Sequence, residues 1–370
     1  MARLGLGAGW TCALANDFDP TKAAAYRRNF PDAGLHLIEG DVWALTPGDL
    51  PGQADLAWAS SPCQDFSLAG GRAGLAGGRS SAFYGFWKLI VALGSEGRAP
   101  RILVIENVTG LLTSNGGADF TALCAALAGQ GYAYGALEID AAPFLPQSRP
   151  RVFVIAARDG ARRGFEGRVG ANPFRTAAIG RAFERLPADL KVHWMDWAGA
   201  APPRRNSTLA ALLDPDTEVR WKTAAETERL ITLMSPRHQT RIATLGASGE
   251  RSVGALFRRT RLVDGRRQQR AEVRFDGLAG CLRTPRGGSS RQTLVLVDRG
   301  QVHSRLISPR ETARLMGLPE TYILPGSTTA ALHVTGDGVA VPVVGWLARE
   351  IIEPLLEDLE KSAEGACQIS

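Results

Sequence analysis

The sequence predicts an α/β fold in which a doubly wound, mostly parallel sheet carries helices on both faces. Short apolar runs alternate with longer helical stretches through the first 157 residues, which is typical of parallel strands joined by helices. Polar clusters adjoin three of these runs, as they do at a sheet edge that forms a site. Beyond Arg158 the alternation stops, which predicts a smaller, mixed second domain.

The elements follow from the apolar runs. The predicted strands are the short runs at residues 10–15, 35–38, 54–59, 102–105, 137–140 and 152–156. The predicted helices are the longer stretches at residues 21–29, 83–93 and 120–128. Gly, Arg and Asn dominate residues 158–175, which predicts a linker. Helical periodicity returns over residues 339–359 and predicts a C-terminal helix.

The composition is that of an ordinary globular protein. The chain has 370 residues, of which 45% are apolar and 22% charged, enough for two domains with their own cores. No apolar run has the length of a transmembrane helix, and no signal peptide opens the chain. The five cysteines are widely spaced and show neither a metal-binding pattern nor a disulfide framework. We therefore expect a reducing, cytoplasmic compartment, no membrane partner and no metal.

Three polar motifs adjoin predicted strands. Pro62-Cys63-Gln64 follows the run 54–59, Glu106-Asn107-Val108 follows the run 102–105, and Gln147-x-Arg149-x-Arg151 precedes the run 152–156. Because each polar cluster lies beside a strand-like run, we expect the three motifs to form one site at one edge of a parallel sheet.

These motifs, in this order, resemble those of the DNA (cytosine-5) methyltransferases. The resemblance extends to Arg305-Leu306-x-x-x-Arg310-Glu311-x-Ala313-Arg314-Leu315-x-Gly317-Leu318-Pro319, so that it covers nearly the whole chain. It implies a Rossmann-like fold and methyl transfer from S-adenosylmethionine to C5 of cytosine in a specific duplex DNA sequence. It also implies a catalytic domain over residues 1–157, a linker and target recognition domain over 158–304, and a segment over 305–370 that returns to the catalytic domain.

Cysteine and glutamate suit this chemistry. Cytosine C5 becomes nucleophilic when a thiolate adds to C6, and a cysteine is the side chain that both attacks and leaves well. We assign Cys63 as the nucleophile, with Gln64 beside it, and leave Cys12, Cys124 and Cys281 to packing. A carboxyl group can supply the proton that N3 needs, and Glu106 ends a predicted strand where sites form.

Asn107 is expected to fix the catalytic loop through backbone hydrogen bonds. Arg149 and Arg151 alternate along an incipient strand, which predicts that both point to one face. They can lower the pKa of Cys63, hold the flipped base at O2, or bind phosphate. The resemblance places Arg151 nearer the base and Arg149 beside the catalytic loop.

The cofactor residues follow from two acids. Asp17 comes after the run 10–15 and suits ribose hydroxyls, Phe18 suits stacking on adenine, and Asp41 suits the adenine amine. The resemblance adds Val42, Pro62 and Asp337 to this set. Asp337 stands where family members usually have asparagine, and so places a charge near the sulfonium.

A basic region marks the candidate DNA surface. Residues 251–270 hold seven arginines against one acid, Asp264, and clustered arginines neutralise phosphates. A solvated basic loop is the alternative. Glycines after Cys63 suit a loop that closes over a flipped nucleotide. The candidate DNA contacts are Arg72, Arg79, Arg258, Arg259, Arg261, Arg266, Arg267, Arg286, Ser289, Ser290, Arg291 and Gln292.

The glycines Gly5, Gly7 and Gly9 do not predict a cofactor loop, because no strand precedes them and Asp17 follows too soon. The family's Phe-x-Gly-x-Gly-Gly turn would precede Met1, so that residues 1–9 correspond to the first helix and the turn after it. We therefore expect the 370-residue chain to lack that strand and turn, to be poorly soluble and to bind S-adenosylmethionine weakly or not at all. A misassigned start, a decayed gene or a compensating segment would each account for this.

The expected partner is double-stranded DNA, with a cognate restriction endonuclease as a further partner. We expect a monomer associated with a bacterial or phage nucleoid. Two alternatives stay open: a catalytically impaired remnant that only binds DNA, and an RNA cytosine-5 methyltransferase. A dinucleotide oxidoreductase is excluded by the absence of a suitable glycine loop and by the cysteine motif.

Overall fold

The computed structural model describes residues 1–61, 82–158, 168–263, 265–284 and 291–367. Several predicted site residues lie outside the described residues, namely Pro62, Cys63, Gln64, Arg72, Arg79, Arg286, Ser289 and Ser290.

The helices and strands of the described residues are as follows. The strands are β1 (Ala15–Asp17), β2 (Leu37–Glu39), β3 (Leu56–Ser60), β4 (Ile102–Asn107), β5 (Tyr132–Asp140), β6 (Pro150–Arg158), β7 (Ser252–Val263), β8 (Arg266–Arg274), β9 (Thr293–Asp298) and β10 (Gln301–Leu306). The helices are α1 (Ala2–Leu6), α2 (Pro20–Asn29), α3 (Ala82–Ser95), α4 (Ala118–Gly129), α5 (Ala177–Arg185), α6 (Ala188–Lys191), α7 (Ala224–Thr232), α8 (Pro236–Ser248), α9 (Pro309–Leu315), α10 (Thr328–Asp337), α11 (Val341–Leu347) and α12 (Glu353–Cys367). One π-helical turn, Ala348–Ile352, joins α11 to α12.

The chain forms two compact units. The larger unit comprises residues 2–140, 150–202 and 343–370, and the smaller unit comprises Met1 and residues 141–149 and 203–342. These units divide the chain at positions different from those of the three predicted segments. Residues 168–202 belong with the larger unit, because Trp197 is buried there and its indole N–H donates to the carbonyl of Ile155 at 3.1 Å.

A four-stranded sheet in the order β3-β4-β6-β5 lies at the centre of the larger unit. β3 pairs parallel to β4, whereas β6 pairs antiparallel to both β4 and β5. Three of the four strands therefore run in one direction. β1 and β2 form a separate parallel pair.

The core explains why β4 is the centre of this sheet. All six of its residues are buried, so both faces of the strand are covered. Leu103 and Ile105 belong to a cluster with Ile90 of α3 and Phe120 of α4. Such near-continuous apolar runs are typical of strands that helices cover.

Two predicted strands of the larger unit are wrong in position. Residues 10–14 form no strand, and β1 begins only at Ala15; Trp10 donates its indole N–H to Glu353 at 3.0 Å. Leu35 ends a short 3₁₀ turn, Ala33–Leu35, and is 87% exposed. Both apolar runs begin before the first residue that pairs with the other strand. Hydrogen-bonded pairing, and not hydropathy, therefore determines where β1 and β2 begin.

The smaller unit contains an antiparallel sheet in the order β10-β9-β7-β8. Helices α7 and α8 cover one face of it. Leu256, Val273 and Val297 of the sheet form a buried cluster with Met234 and with Ile242 of α8. The smaller unit therefore contains both helices and strands, as predicted for the mixed second domain.

A buried ion pair links β10 to the start of α9 in the smaller unit. The two guanidinium nitrogens of Arg305 lie 2.5 and 2.8 Å from the carboxylate oxygens of Glu311, and both side chains are 1% exposed. The same carboxylate accepts the backbone N–H groups of Ser308 and Asp214, each at 2.8 Å. Four donors therefore satisfy one buried carboxylate, and the pair holds three segments together.

We expect Glu311→Ala to lower the free energy of unfolding by about 3–5 kcal/mol, because it leaves the Arg305 charge buried without compensation. Glu320→Ala is the matched control. Glu320 is 63% exposed and pairs with Arg314, and exposed pairs contribute only about 0–1 kcal/mol. Urea denaturation of both variants measures the difference, and equal losses would contradict the role given to the buried pair.

Candidate active site

The carboxyl ends of β3 and β4 lie side by side. Ser60, the last residue of β3, is the register partner of Glu106 on β4. The Asn107 side-chain amide donates to the carbonyl of Ser61 at 3.0 Å, and its own oxygen accepts the N–H of Val108 at 2.9 Å. Asn107 thus fixes the point where the chain leaves β3, two residues before Cys63. A role of Asn107 in holding the catalytic loop stays a prediction.

Glu106 and Arg151 form an ion pair at this edge. The Nε of Arg151 lies 3.1 Å from Oε1 of Glu106, and the Glu106 residue is 7% exposed. A second contact, from Arg151 Nη1 to the carbonyl of Pro150 at 2.8 Å, holds the guanidinium in place. A buried carboxyl group beside a fixed cation can exchange a proton with a base placed against it.

The prediction that Arg149 and Arg151 point to one face of a strand is wrong. β6 begins at Pro150, so Arg149 precedes the strand and the alternation does not reach it. Arg149 is 3% exposed and belongs to the smaller unit. Its guanidinium donates to the carbonyls of Leu282, Gly336 and Gly338 at 2.9, 2.9 and 2.6 Å. Arg149 therefore joins two distant backbone segments of its own unit.

The ends of β1 and β2 bring two candidate cofactor acids together. The Gly40 N–H donates to the carbonyl of Asp17 at 3.0 Å, so the turns after the two strands are adjacent. The Asp17 carboxylate accepts the N–H of Asp19 at 2.9 Å, and that of Asp41 accepts the N–H of Trp43 at 3.0 Å. These local bonds orient both carboxylates.

Phe18 projects beside these acids as one of the most exposed large apolar side chains of the described residues, 73% accessible. A missed residue, Asn16, reinforces the edge: its amide donates to the carbonyls of Ile38 and Gly40 at 2.9 and 3.0 Å. Asn16 could have been identified from the sequence as a short polar residue beside the apolar run that leads into β1. The arrangement leaves an aromatic ring and two carboxylates at one edge.

The other two described cofactor candidates, Val42 and Asp337, have packing partners. Val42 lies against α3: a Cβ added to Gly85 would come within 2.7 Å of it. Asp337 ends α10 in the smaller unit, where it is exposed and accepts a hydrogen bond from the hydroxyl of Thr284. Their role at a cofactor stays a prediction.

The predicted DNA-contacting arginines of β7 and β8 divide between two faces of the hairpin. Register and alternation place Arg259, Arg261 and Arg266 on one face. Arg258 and Arg267 belong to the opposite face, which packs on α7 and α8 at the end of the hairpin away from its turn. All five are exposed. The arginines that cluster in the sequence therefore make both faces of this hairpin basic.

Arg270 and Glu272 also lie on the first of these faces. Arg270, the last arginine of the predicted basic cluster, is the register partner of Arg259, and Glu272, which the sequence analysis missed, lies opposite Phe257. Period-two alternation from Arg270 would have found Glu272. Gln292, by contrast, is 6% exposed, and its amide both donates to and accepts from the backbone of Gly280 at 2.5 and 3.1 Å. Its polar atoms are used internally, so we leave Gln292 out of the DNA surface. Arg291, next to it, is half-buried.

Among the described residues, no helix is long and apolar enough to cross a membrane. Nor does that part of the chain bring three or more His, Cys, Asp or Glu side chains into a metal-holding cluster.

An ion pair and a fixed loop start beside the carboxyl ends of β3 and β4 are typical of the edge at which α/β enzymes carry their active site. The family model of C-5 cytosine-specific DNA methylases matches residues 2–353, and the chain belongs to this family. The enzyme class predicted from the sequence, a DNA cytosine-5 methyltransferase, and the α/β fold class are thereby confirmed, with a mixed sheet in which three of the four strands run in one direction.

Individual relatives agree. The chain is 26% identical over 356 residues to the type II methyltransferase M.BsuFI of Bacillus subtilis, a match that covers 96% of this chain and 70% of the relative. It is 23% identical to the type II methyltransferase M.HhaI of Haemophilus parahaemolyticus, with 93% and 88% covered. The Dnmt2 methyltransferase structure of S. pombe superposes with a TM-score of 0.57 at 18% identity, covering 96% of this chain and 94% of the other.

Proposed function

We propose that this protein transfers a methyl group from S-adenosylmethionine to C5 of cytosine within a specific sequence of duplex DNA, through a covalent bond between Cys63 and C6. The observation that carries the proposal is the Glu106–Arg151 pair, with Asn107 bound to Ser61 just before Cys63. Family membership and the type II methyltransferase relatives support a DNA substrate.

The proposed chemistry needs two residues with different tasks. Cys63 adds as a thiolate to C6, which makes C5 nucleophilic; when the C5 proton leaves after methyl transfer, the C6–sulfur bond breaks and the thiolate returns. Glu106 supplies the proton that N3 takes up during the addition and recovers it afterwards. Arg151 holds the Glu106 carboxyl group in place. The target cytosine has to leave the duplex stack, because its C6 is inaccessible there.

The residues at the ends of β1 and β2 fit the adenosine half of S-adenosylmethionine. Asp17 and Asp41 present carboxylates that can accept hydrogen bonds from ribose hydroxyls and from the adenine amine. The exposed ring of Phe18 beside them suits stacking on the base. When bound, this cofactor supplies an electrophilic methyl group. The protein's own part is to hold its adenosine by these three side chains.

The smaller unit is proposed to recognise the DNA sequence. Its β7–β8 hairpin presents exposed arginines that neutralise phosphates, and the resemblance predicts target recognition in this part of the chain. The relatives named type II methyltransferases support a role in restriction-modification, with a cognate endonuclease acting on the same sequence.

The test is methyl transfer itself. The full chain is incubated with duplex DNA and S-adenosylmethionine that carries a labelled methyl group, and the DNA is digested to nucleosides. We expect labelled 5-methylcytosine at one sequence context. Labelled product from RNA and none from duplex DNA would favour the RNA alternative, and DNA binding without any product would favour the impaired remnant.

A further inference from the structure

One face of the β7–β8 hairpin carries a single acidic side chain among five arginines. Arg259, Arg261, Arg266, Arg270 and Arg274 share this face with Glu272, because opposite and alternate residues of an antiparallel pair point the same way. Within residues 252–263 and 265–274, Glu272 is the only acid that the sequence contains. Its position is therefore exceptional in a basic surface.

Glu272 holds two of these arginines at once. Its Oε1 lies 2.8 and 2.5 Å from Nε and Nη2 of Arg261, and its Oε2 lies 3.4 Å from Nε of Arg259. The Arg259 guanidinium also lies over the ring of Phe257, 5.2 Å from its centre. Both arginine side chains are 51% exposed, whereas that of Glu272 is 25% exposed. One carboxylate thus contacts two of the exposed cations on this face.

A DNA phosphate competes with that carboxylate for the same guanidinium groups. Exposed ion pairs are weak, so phosphate can displace them. The displaced carboxylate stays on the same face and repels the phosphate that replaced it. Both effects lower affinity without reference to base sequence, because phosphate contacts carry no sequence information.

We infer that Glu272 is an internal competitor of DNA phosphate at Arg259 and Arg261, which restrains binding to duplex DNA of any sequence. This inference rests on the proposed function, since it takes the hairpin to be a DNA-binding surface. Its consequence is that the protein leaves non-target DNA more readily than its arginine content would allow.

The test measures binding of the full chain to a short, labelled duplex of mixed sequence, across a series of salt concentrations. Glu272→Gln is expected to tighten binding roughly 2- to 30-fold at low salt, since two exposed ion pairs no longer compete. The dependence of affinity on salt is expected to steepen by about one to two units, because each phosphate contact contributes about 0.9. Glu272→Thr removes the same charge with a residue that suits a strand, and is expected to behave alike.

Two controls locate the effect. Glu228→Gln removes one charge from exposed helix α7 of the same unit and is expected to change affinity less than 2-fold. In a background of Arg259→Ala and Arg261→Ala, removing the Glu272 charge is expected to give no gain. An equal gain from Glu228→Gln, or a persistent gain without the arginines, would overturn the inference.

The double arginine variant also separates this inference from the surface it depends on. If Arg259→Ala with Arg261→Ala weakens binding but Glu272→Gln and Glu272→Thr do not tighten it, the hairpin binds DNA and Glu272 is no competitor. If the double variant binds like the unaltered chain, the hairpin is not the DNA surface and both ideas are wrong.

Discussion

Replacing Cys63 with serine is expected to lower methyl transfer by about 10⁴-fold or more, the scale on which enzymes lose rate when a covalent nucleophile is removed. A serine hydroxyl is close in size to the thiol but is a far weaker nucleophile at neutral pH. Duplex DNA containing 5-fluorocytosine gives the direct reading. A C5 that carries fluorine cannot lose a proton after methylation, so the unaltered chain is expected to stay covalently bound to it, whereas Cys63→Ser is not.

The other described cysteines supply the control. Cys124 is fully buried, and burial raises the pKa of its thiol to about 12, so it does not form a thiolate at neutral pH. Cys281 is the sharper comparison, because it is half-buried and its sulfur lies 3.4 Å from the Arg149 guanidinium. Cys281→Ser is expected to trap fluorinated DNA like the unaltered chain. Covalent trapping by Cys63→Ser but not by Cys281→Ser would assign the nucleophile to Cys281 and refute our assignment.

Local signals in the sequence located several elements closely. Helix α2 was predicted to span residues 21–29 and begins at Pro20. Asp19 caps it through hydrogen bonds from the N–H groups of Thr21 and Lys22, and proline is favoured at the first position. The run 102–105 likewise becomes the first part of β4, which continues through Glu106 to Asn107, because a buried strand is marked by its own apolar residues.

Contacts between distant residues could not be predicted in the same way. The sequence pattern predicts Arg149 to be part of a strand. In the structure its guanidinium instead donates hydrogen bonds to three backbone carbonyls, at residues 282, 336 and 338. Trp197 lies in a stretch without βα alternation, yet it packs on the central sheet through Ile155. Such roles depend on which backbone groups need a partner in the folded chain, and no local pattern records that need.

The basic cluster was only partly predictable from local sequence. Counting arginines over residues 251–270 showed that this stretch is basic, but not which of its side chains share a face of the hairpin. The hairpin register, which pairs Arg259 with Arg270, decides which side chains act together. Once the turn between β7 and β8 is known, period-two alternation assigns every residue to a face.

Replacing Glu106 with glutamine is expected to lower methyl transfer by about 10²–10⁴-fold, the range that general acid–base catalysis contributes. Glutamine keeps the shape of the side chain and can still accept a hydrogen bond from Arg151, but it has no carboxyl proton to give to N3. Affinity for duplex DNA is expected to change little, because Glu106 is 7% exposed and lies at the end of β4.

A control variant on the same sheet shows whether Glu106→Gln lowers activity by removing the proton donor or by disturbing the sheet. Glu138 lies on β5 of the same sheet, where its carboxylate accepts the hydroxyl of Thr176 at 2.5 Å. Glu138→Gln removes a carboxylate from a neighbouring part of the sheet and is expected to leave the turnover rate nearly unchanged. Thermal unfolding of both variants shows whether either loses the fold.

The substrate itself offers the decisive comparison for Glu106. A 5-azacytosine ring is more electron-poor than cytosine, so thiolate addition at C6 depends less on protonation at N3. Formation of the covalent complex by Glu106→Gln is therefore expected to be impaired less on a 5-azacytosine duplex than on a 5-fluorocytosine duplex, where the adduct also persists. A residue that only positions Arg151 or the loop before Cys63 would slow both substrates by the same factor. If Glu106→Gln slows formation of the covalent complex equally on the two duplexes, Glu106 has a structural role and is not the proton donor. The proton for N3 would then have to come from another group at this edge of the sheet.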